Sequence, residues 1–228
     1  MTILAIGSHY DDIVFGIPGV LLQAIDQGHR VVILALLGDY TNWPPVDGRA
    51  QKLVEDTRAL AEEVGAEMRF LHYASMHLRF EQAAIQAAAE VVVEVAPETA
   101  FLLWPDDSHP DHEAASRIAK VALHGANRLI GADKWRPPRR MYQFDNGPGH
   151  TIGFEPNVYV DVSEQWDRAA AWLGKTMAAM RGVRYDPSKP DAAIDTKRIL
   201  AEYRGKACGA RYAEALRSVR NYPQKLFS

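Results

Sequence analysis

The chain has a single cysteine, Cys208, in 228 residues. No intramolecular disulfide can form, and a lone thiol suits a reducing, cytoplasmic setting. It lacks any run of about 18 apolar residues, the length a bilayer-spanning helix needs, so no transmembrane helix is expected. It lacks a strong excess of either charge: 26 Lys and Arg stand against 29 Asp and Glu, for a net −3. That balance argues against a nucleic-acid surface or an anionic membrane as partner. The opening MTILAIGSHYDD has no basic region and no cleavage site, so no signal peptide is expected. There is no internal repeat and no low-complexity run. The phosphate turn of a nucleotide-binding fold is missing too. GSHYDDIVFG has no G-x-G-x-x-G, and its two carboxylates would repel a pyrophosphate.

What is present is an ordinary globular mixture, 47% apolar and 24% charged, in a chain long enough for one α/β domain with a substantial core. Buried strands are predicted over 2–7, 30–37 (VVILALL at its centre), 68–72 and 100–104. Helices are predicted over 17–27, 49–64 and 82–95 and from Asp111 to about His124. Fourfold alternation with short links predicts a Rossmann-like, doubly wound, mostly parallel α/β sheet with helices on both faces. Residues 1–130 form this core. Residues 131–228 read as a less regular part of the same single domain: a WRPPRR loop, short strands over 141–144 and 158–162, a helix over 164–180 capped by Ser163, a polar loop over 184–190, and helices over about 192–203 and 210–219.

Two short segments carry the chemistry, and both follow predicted strands: His9-Tyr10-Asp11-Asp12 and His109-Pro110-Asp111-His112. Right-handed crossovers place all the strand carboxyl ends on one edge, where open α/β sheets bind ligands. Adjacent carboxylates repel each other, and a cation relieves that cost. One Asp of the first pair can bind metal while the other faces a water molecule. The bland alternative, that the pair merely caps a turn or helix, is weakened by His9 two residues earlier. In the second segment Pro110 suits the first turn of a helix, which puts His109 and His112 on one face. Asp111 can then fix the tautomer of one imidazole. Two imidazoles and a carboxylate, with one position left to water, are the ligand set of a catalytic zinc site. Asp106 and Asp107 have an open role; His29 and His124 read as surface residues.

SHYDDIVFGIPGVLL followed by DSHPDHEAASRIA resembles the LmbE-like, PIG-L family of zinc-dependent N-acetylglucosaminyl deacetylases, and RGKACGARYAEALRS resembles the ending of that family. The resemblance implies a Rossmann-like fold with His9, Asp12 and His112 as zinc ligands, with Fe2+ as the alternative ion. It implies Asp11 as general base, and His109 as acid or oxyanion stabiliser oriented by Asp111. The expected activity is removal of an N-acetyl group from a sugar or glycoconjugate. Related proteins are often oligomeric, so a homo-oligomer is a further expectation. Tyr10, Ile13 and Ser108 depart from the family pattern, as does the GDYTNWPP loop. These departures bear on the substrate more than on the chemistry.

For substrate binding, Tyr40, Asn42 and Trp43 follow the second strand and offer an aromatic platform with a hydrogen-bonding neighbour. Arg49 opens the next helix and can hold an anionic or hydroxylated group. His150 lies in a Gly- and Pro-rich loop that can reach the site. The competing readings are a metal-dependent amidase or esterase on a non-sugar substrate, and a metal-binding module without activity. The second is disfavoured by Asp11 and His109, which pure binding does not need.

Overall fold

The computed structural model describes residues 1–46, 48–189 and 191–223. Asp47 and Pro190, inside two of the predicted loops, lie outside the described residues. The elements in chain order are β1 (Thr2–Gly7), α1 (Asp12–Gly16), α2 (Pro18–Asp26), β2 (Arg30–Asp39), α3 (Ala50–Val64), β3 (Glu67–Ala74), α4 (Gln82–Val95), β4 (Thr99–Leu103), α5 (Pro110–Leu129), β5 (Arg140–Phe144), β6 (Val158–Asp161), α6 (Trp166–Arg181), α7 (Ala192–Cys208) and β7 (Ala213–Ser218). They build one seven-stranded sheet in the order β3-β2-β1-β4-β5-β7-β6. The first five strands in that order pair in parallel. β7 runs antiparallel between β5 and β6.

β1, β2 and β4 are apolar along their length because both faces of the sheet are covered. On one side α4 packs on α5; on the other α6 packs against α2, α3 and α7. The strand order reverses at β1: β2 and β3 extend to one side, β4 and β5 to the other. The crevice between the carboxyl ends of β1 and β4 is therefore the topological switch point, and both His-containing segments begin there. Among the described residues no helix is long and apolar enough to cross a membrane.

Several predicted elements are corrected. The predicted helix over 17–27 is α2, which opens with Pro18 in its first turn, where the missing N–H costs nothing; a short helix, α1, precedes it and was not predicted. α5 runs on to Leu129 and α7 to Cys208. Ser163 does not cap α6: the helix starts at Trp166, and the Ser163 hydroxyl donates to Asp161 Oδ1 at 2.6 Å. The predicted final helix over 210–219 is the strand β7. Ala-Glu-Ala-Leu favours a helix by propensity, but Ala213 to Leu216 are buried between two strands, and pairing on both edges decides the outcome.

Candidate active site

The loop after β1 turns directly into α1, and Asp12 fixes that turn. Its Oδ2 accepts the Ser8 N–H at 2.7 Å, the Ser8 hydroxyl at 2.7 Å and the His9 N–H at 2.8 Å. Its other oxygen faces two imidazoles: Oδ1 lies 3.5 Å from His9 Nδ1 and 3.2 Å from His112 Nε2. His112 comes from the first turn of α5, across the switch point. The three donor atoms lie within 4.8 Å of one another, so this trio could hold one metal ion.

Burial opposes charge on both imidazoles, but nearby carboxylates outweigh it. Asp12 and Asp111 raise His9 to about 9, and Asp12 and Asp107 raise His112 to about 10. Burial likewise opposes charge on Asp12, and His112 and His9 hold it well below the carboxylate range. A metal entering here displaces the two imidazole protons.

Asp11 stands at the N-cap position of α1 but makes no capping hydrogen bond. The capping explanation for the Asp pair therefore does not account for Asp11, which lines a cavity of about 450 Å³ together with the trio. Burial and the Asp12 charge push its carboxyl up to about 6, against the pull of His9. His109 also lines the cavity, its ring centroid 4.8 Å from that of His9 and 4.6 Å from that of His112. His109 Nδ1 accepts the Asp111 N–H at 3.2 Å, which places the proton of the neutral ring on Nε2. Burial and the charges on His9 and His112 lower His109 to about 4, so the ring is neutral near pH 7.

The Asp111 carboxylate does not orient His109, contrary to the expectation. It lies 3.5 Å from His9 Nε2 and accepts the Met76 and Leu78 N–H groups at 2.6 and 3.1 Å. Only its backbone N–H reaches His109, since the carboxylate is taken up by His9 and the 76–78 turn.

Two residues of the site were not singled out from the sequence. Asp107, whose role was open, places Oδ1 3.0 Å from His112 Nδ1, an ion-pair contact bent away from the N–H direction, and the same oxygen accepts the His109 N–H at 2.8 Å. Asn146 follows β5, and its Nδ2 donates to Asp12 Oδ1 at 2.9 Å. The available signals were a carboxylate two residues before His109 and an Asp-Asn pair just past a strand on the ligand-binding edge.

The predicted substrate residues divide. Trp43 lines the cavity, with its ring 6.2 Å from Tyr10 and 6.0 Å from Tyr40. His150 lines it as well, 5.2 Å from the His112 ring. Tyr40 is no open platform: it is buried, donates to Leu37 O at 3.2 Å and accepts the Tyr10 N–H at 3.1 Å. Asn42 is exposed and does not line the cavity. Arg49 is turned away, donating to Ala179 O and Met180 O at the end of α6 and to Pro45 O. Its charge suits the carbonyl end of the helix. Of the departures, Ile13 is a core residue and Tyr10 joins the aromatic cluster behind Trp43. Ser108 donates its N–H to His150 O at 2.9 Å.

Residues 4–123, just over half of the chain, match the PIG-L family, GlcNAc-PI de-N-acetylase. The chain belongs to that family. It is 26% identical to the diacetylchitobiose deacetylase of Thermococcus kodakarensis, over 95% of this chain and 82% of that protein. Among solved structures, 4-carboxy-2-hydroxymuconate hydratase from Pseudomonas putida superposes with a TM-score of 0.82 at 19% identity, covering 100% of this chain and 99% of that one. The inhibitor-bound N,N'-diacetylchitobiose deacetylase from Pyrococcus horikoshii gives 0.75 at 19% identity, covering 96% of this chain and 83% of that one.

Proposed function

We propose that the protein is a metal-dependent hydrolase that removes the acetyl group from an N-acetylglucosamine-type sugar or glycoconjugate, releasing acetate and a free amine. The carrying observation is that His9 Nδ1, Asp12 Oδ1 and His112 Nε2 converge beside the Asp11 carboxylate, which has no helix-capping task. Family membership and the likeness to the Thermococcus deacetylase support the same reading. The sheet joins strands from both halves of the chain, which supports one catalytic domain over 1–228.

Two imidazoles and a carboxylate fit zinc, and ferrous iron accepts the same donors. A divalent ion there would supply Lewis acidity to the amide carbonyl and ease deprotonation of a water molecule. Asp11, raised to about 6, takes the proton of the attacking water at its carboxylate. Neutral His109 presents Nε2–H to the carbonyl oxygen as negative charge develops on it. The proton held by Asp11 then passes to the leaving amine. Asp107 and Asp111 stay ionised and hold His112 and His9 in place.

The fold likeness to the Pseudomonas hydratase favours a second reading, addition of water to an unsaturated carboxylic acid. The cavity speaks for the hydrolase: among the described residues lining it there is no Arg or Lys to receive a substrate with several carboxylates. The motifs alone also leave room for an amidase or esterase on a non-sugar substrate.

The test is amine release from N-acetylglucosamine conjugates and simple acetamides by metal-loaded and chelator-treated protein. Release is expected from the loaded form only. Asp11→Asn is expected to keep its metal and lose about 10²–10⁴-fold in turnover. Chelator-insensitive release, or an Asp11→Asn variant as fast as wild type, sinks the mechanism.

A further inference from the structure

Beyond the histidine and carboxylate cluster, the cavity wall includes the apolar side chains of Phe15, Trp43, Met76, Met177 and Ala193, together with the polar Ser75, Asn146 and Thr196. Of the polar members, Asn146 donates to Asp12 Oδ1 at 2.9 Å and Thr196 donates its hydroxyl proton to Ala192 O at 2.8 Å. Met76 is the informative member. It has a positive φ of 67°, a left-handed conformation rarely taken by a residue with a long side chain. Its side chain stands at the cavity rim and the residue is 52% exposed, although burial would favour the opposite for methionine. The turn is held there by Asp111, a buried carboxylate of the second histidine motif, which accepts the Met76 N–H at 2.6 Å and the Leu78 N–H at 3.1 Å. Backbone strain kept beside a site by a member of that site marks a positioned group. An adaptable thioether that lines the same cavity as an indole and a phenyl ring gives it a surface for apolar matter.

We infer that the substrate carries an apolar substituent beside its amide, and that Phe15, Trp43, Met76 and Met177 form the subsite for it. The inference rests on the amide-hydrolase reading and narrows its substrate class. A bare, fully hydroxylated sugar can stack on Trp43 but leaves Phe15, Met76 and Met177 without an apolar partner, and the described lining residues offer no Lys or Arg for a phosphate or carboxylate in that position. The apolar group sits either on the acyl carbon or on the amine-bearing sugar, and the experiment separates the two.

Zinc-loaded protein is titrated calorimetrically with N-acetylglucosamine, with its hexyl and phenyl glycosides (apolar on the amine side) and with N-hexanoylglucosamine (apolar on the acyl side). Amine release is measured in parallel. One extended class is expected to bind about tenfold or more tighter than N-acetylglucosamine, as apolar complementarity in a pocket allows. Met76→Gly removes the side chain and accepts the positive φ without strain, so it is expected to fold at least as well and to abolish most of that preference. Met76→Leu is expected to restore it. Extended ligands that bind no better than N-acetylglucosamine, or a preference untouched by Met76→Gly, overturn the subsite. Metal-dependent release without preference overturns the subsite and leaves the hydrolase standing. Tighter binding of the extended ligands without any release keeps the subsite and removes the hydrolase.

Discussion

Two buried charge clusters in this molecule are completed in opposite ways. In the first, Lys197, 3% exposed, donates to Gly16 O at 2.7 Å and lies 2.9 Å from Glu214 Oε1. Glu214 in turn accepts the Gly19 and Val20 N–H groups at the start of α2, at 3.0 and 2.8 Å. Each charge has its counterpart within the chain. In the second, Asp11, Asp12, Asp107 and Asp111 gather around His9, His109 and His112, and no Lys or Arg is among the described residues lining the cavity that Asp11, Asp12 and the three histidines face. Its balance depends on protons carried by the imidazoles or on a cation from outside. Burial of charge is common to both; the origin of the compensating cation separates scaffold from site. The two also connect, since α1 begins at Asp12 in the open cluster and ends at Gly16, whose carbonyl Lys197 holds.

The largest effect that would test this contrast is expected at Asp12. Asp12→Ala should lose stoichiometric metal and drop turnover by about 10³-fold or more, the several kcal/mol a catalytic metal contributes. Metal at about 100-fold over its dissociation constant should stabilise wild type by about 2.7 kcal/mol and leave the variant unchanged. Full metal content by elemental analysis of Asp12→Ala would place the ion elsewhere. Next comes the closed cluster. Lys197→Met strands Glu214 and should cost about 3–5 kcal/mol in urea unfolding, with or without chelator. The double variant Lys197→Met with Glu214→Gln should recover part of that loss. A chelator-dependent cost would mean that the clusters are not separate.

The same contrast explains how far the sequence could be read. The parallel core was legible because β1, β2 and β4 are continuous apolar runs closed by Gly or by turn residues, a purely local pattern. The convergence of His9, Asp12 and His112 was legible because both motifs follow strands whose carboxyl ends must share an edge. β7 was not legible: Ala-Glu-Ala-Leu is helical by propensity, and its strand state comes from partners more than fifty residues away in sequence. Tyr40 and Arg49 misled for a related reason. An aromatic and a cation near a strand end look like ligand-binding groups, but Tyr40 is consumed by the Tyr10 N–H and Leu37 O, and Arg49 by the end of α6. Side-chain direction is set by tertiary neighbours that local pattern does not contain. Asp107 and Asn146 were missed because support for a metal ligand has no fixed spacing.

Smaller effects then rank the residues by their distance from the open cluster. Asp107→Asn keeps the shape beside His112 but removes the charge facing its Nδ1, and metal affinity should weaken about 10–100-fold while the fold is retained. Competition with a chromogenic chelator reads this directly; unchanged affinity would make Asp107 a loop anchor that serves only the His109 and Thr151 contacts. Arg49→Ala should do the least, about 1 kcal/mol of stability from its half-exposed hydrogen bonds to carbonyls, with kcat/KM within twofold of wild type. A KM rise of tenfold in that variant would instead bring Arg49 into contact with substrate. That would require its guanidinium to leave the Ala179 and Met180 carbonyls, so the loss of stability and the rise in KM cannot share one resting conformation, and measuring both on the same variant distinguishes a helix cap from a binding group.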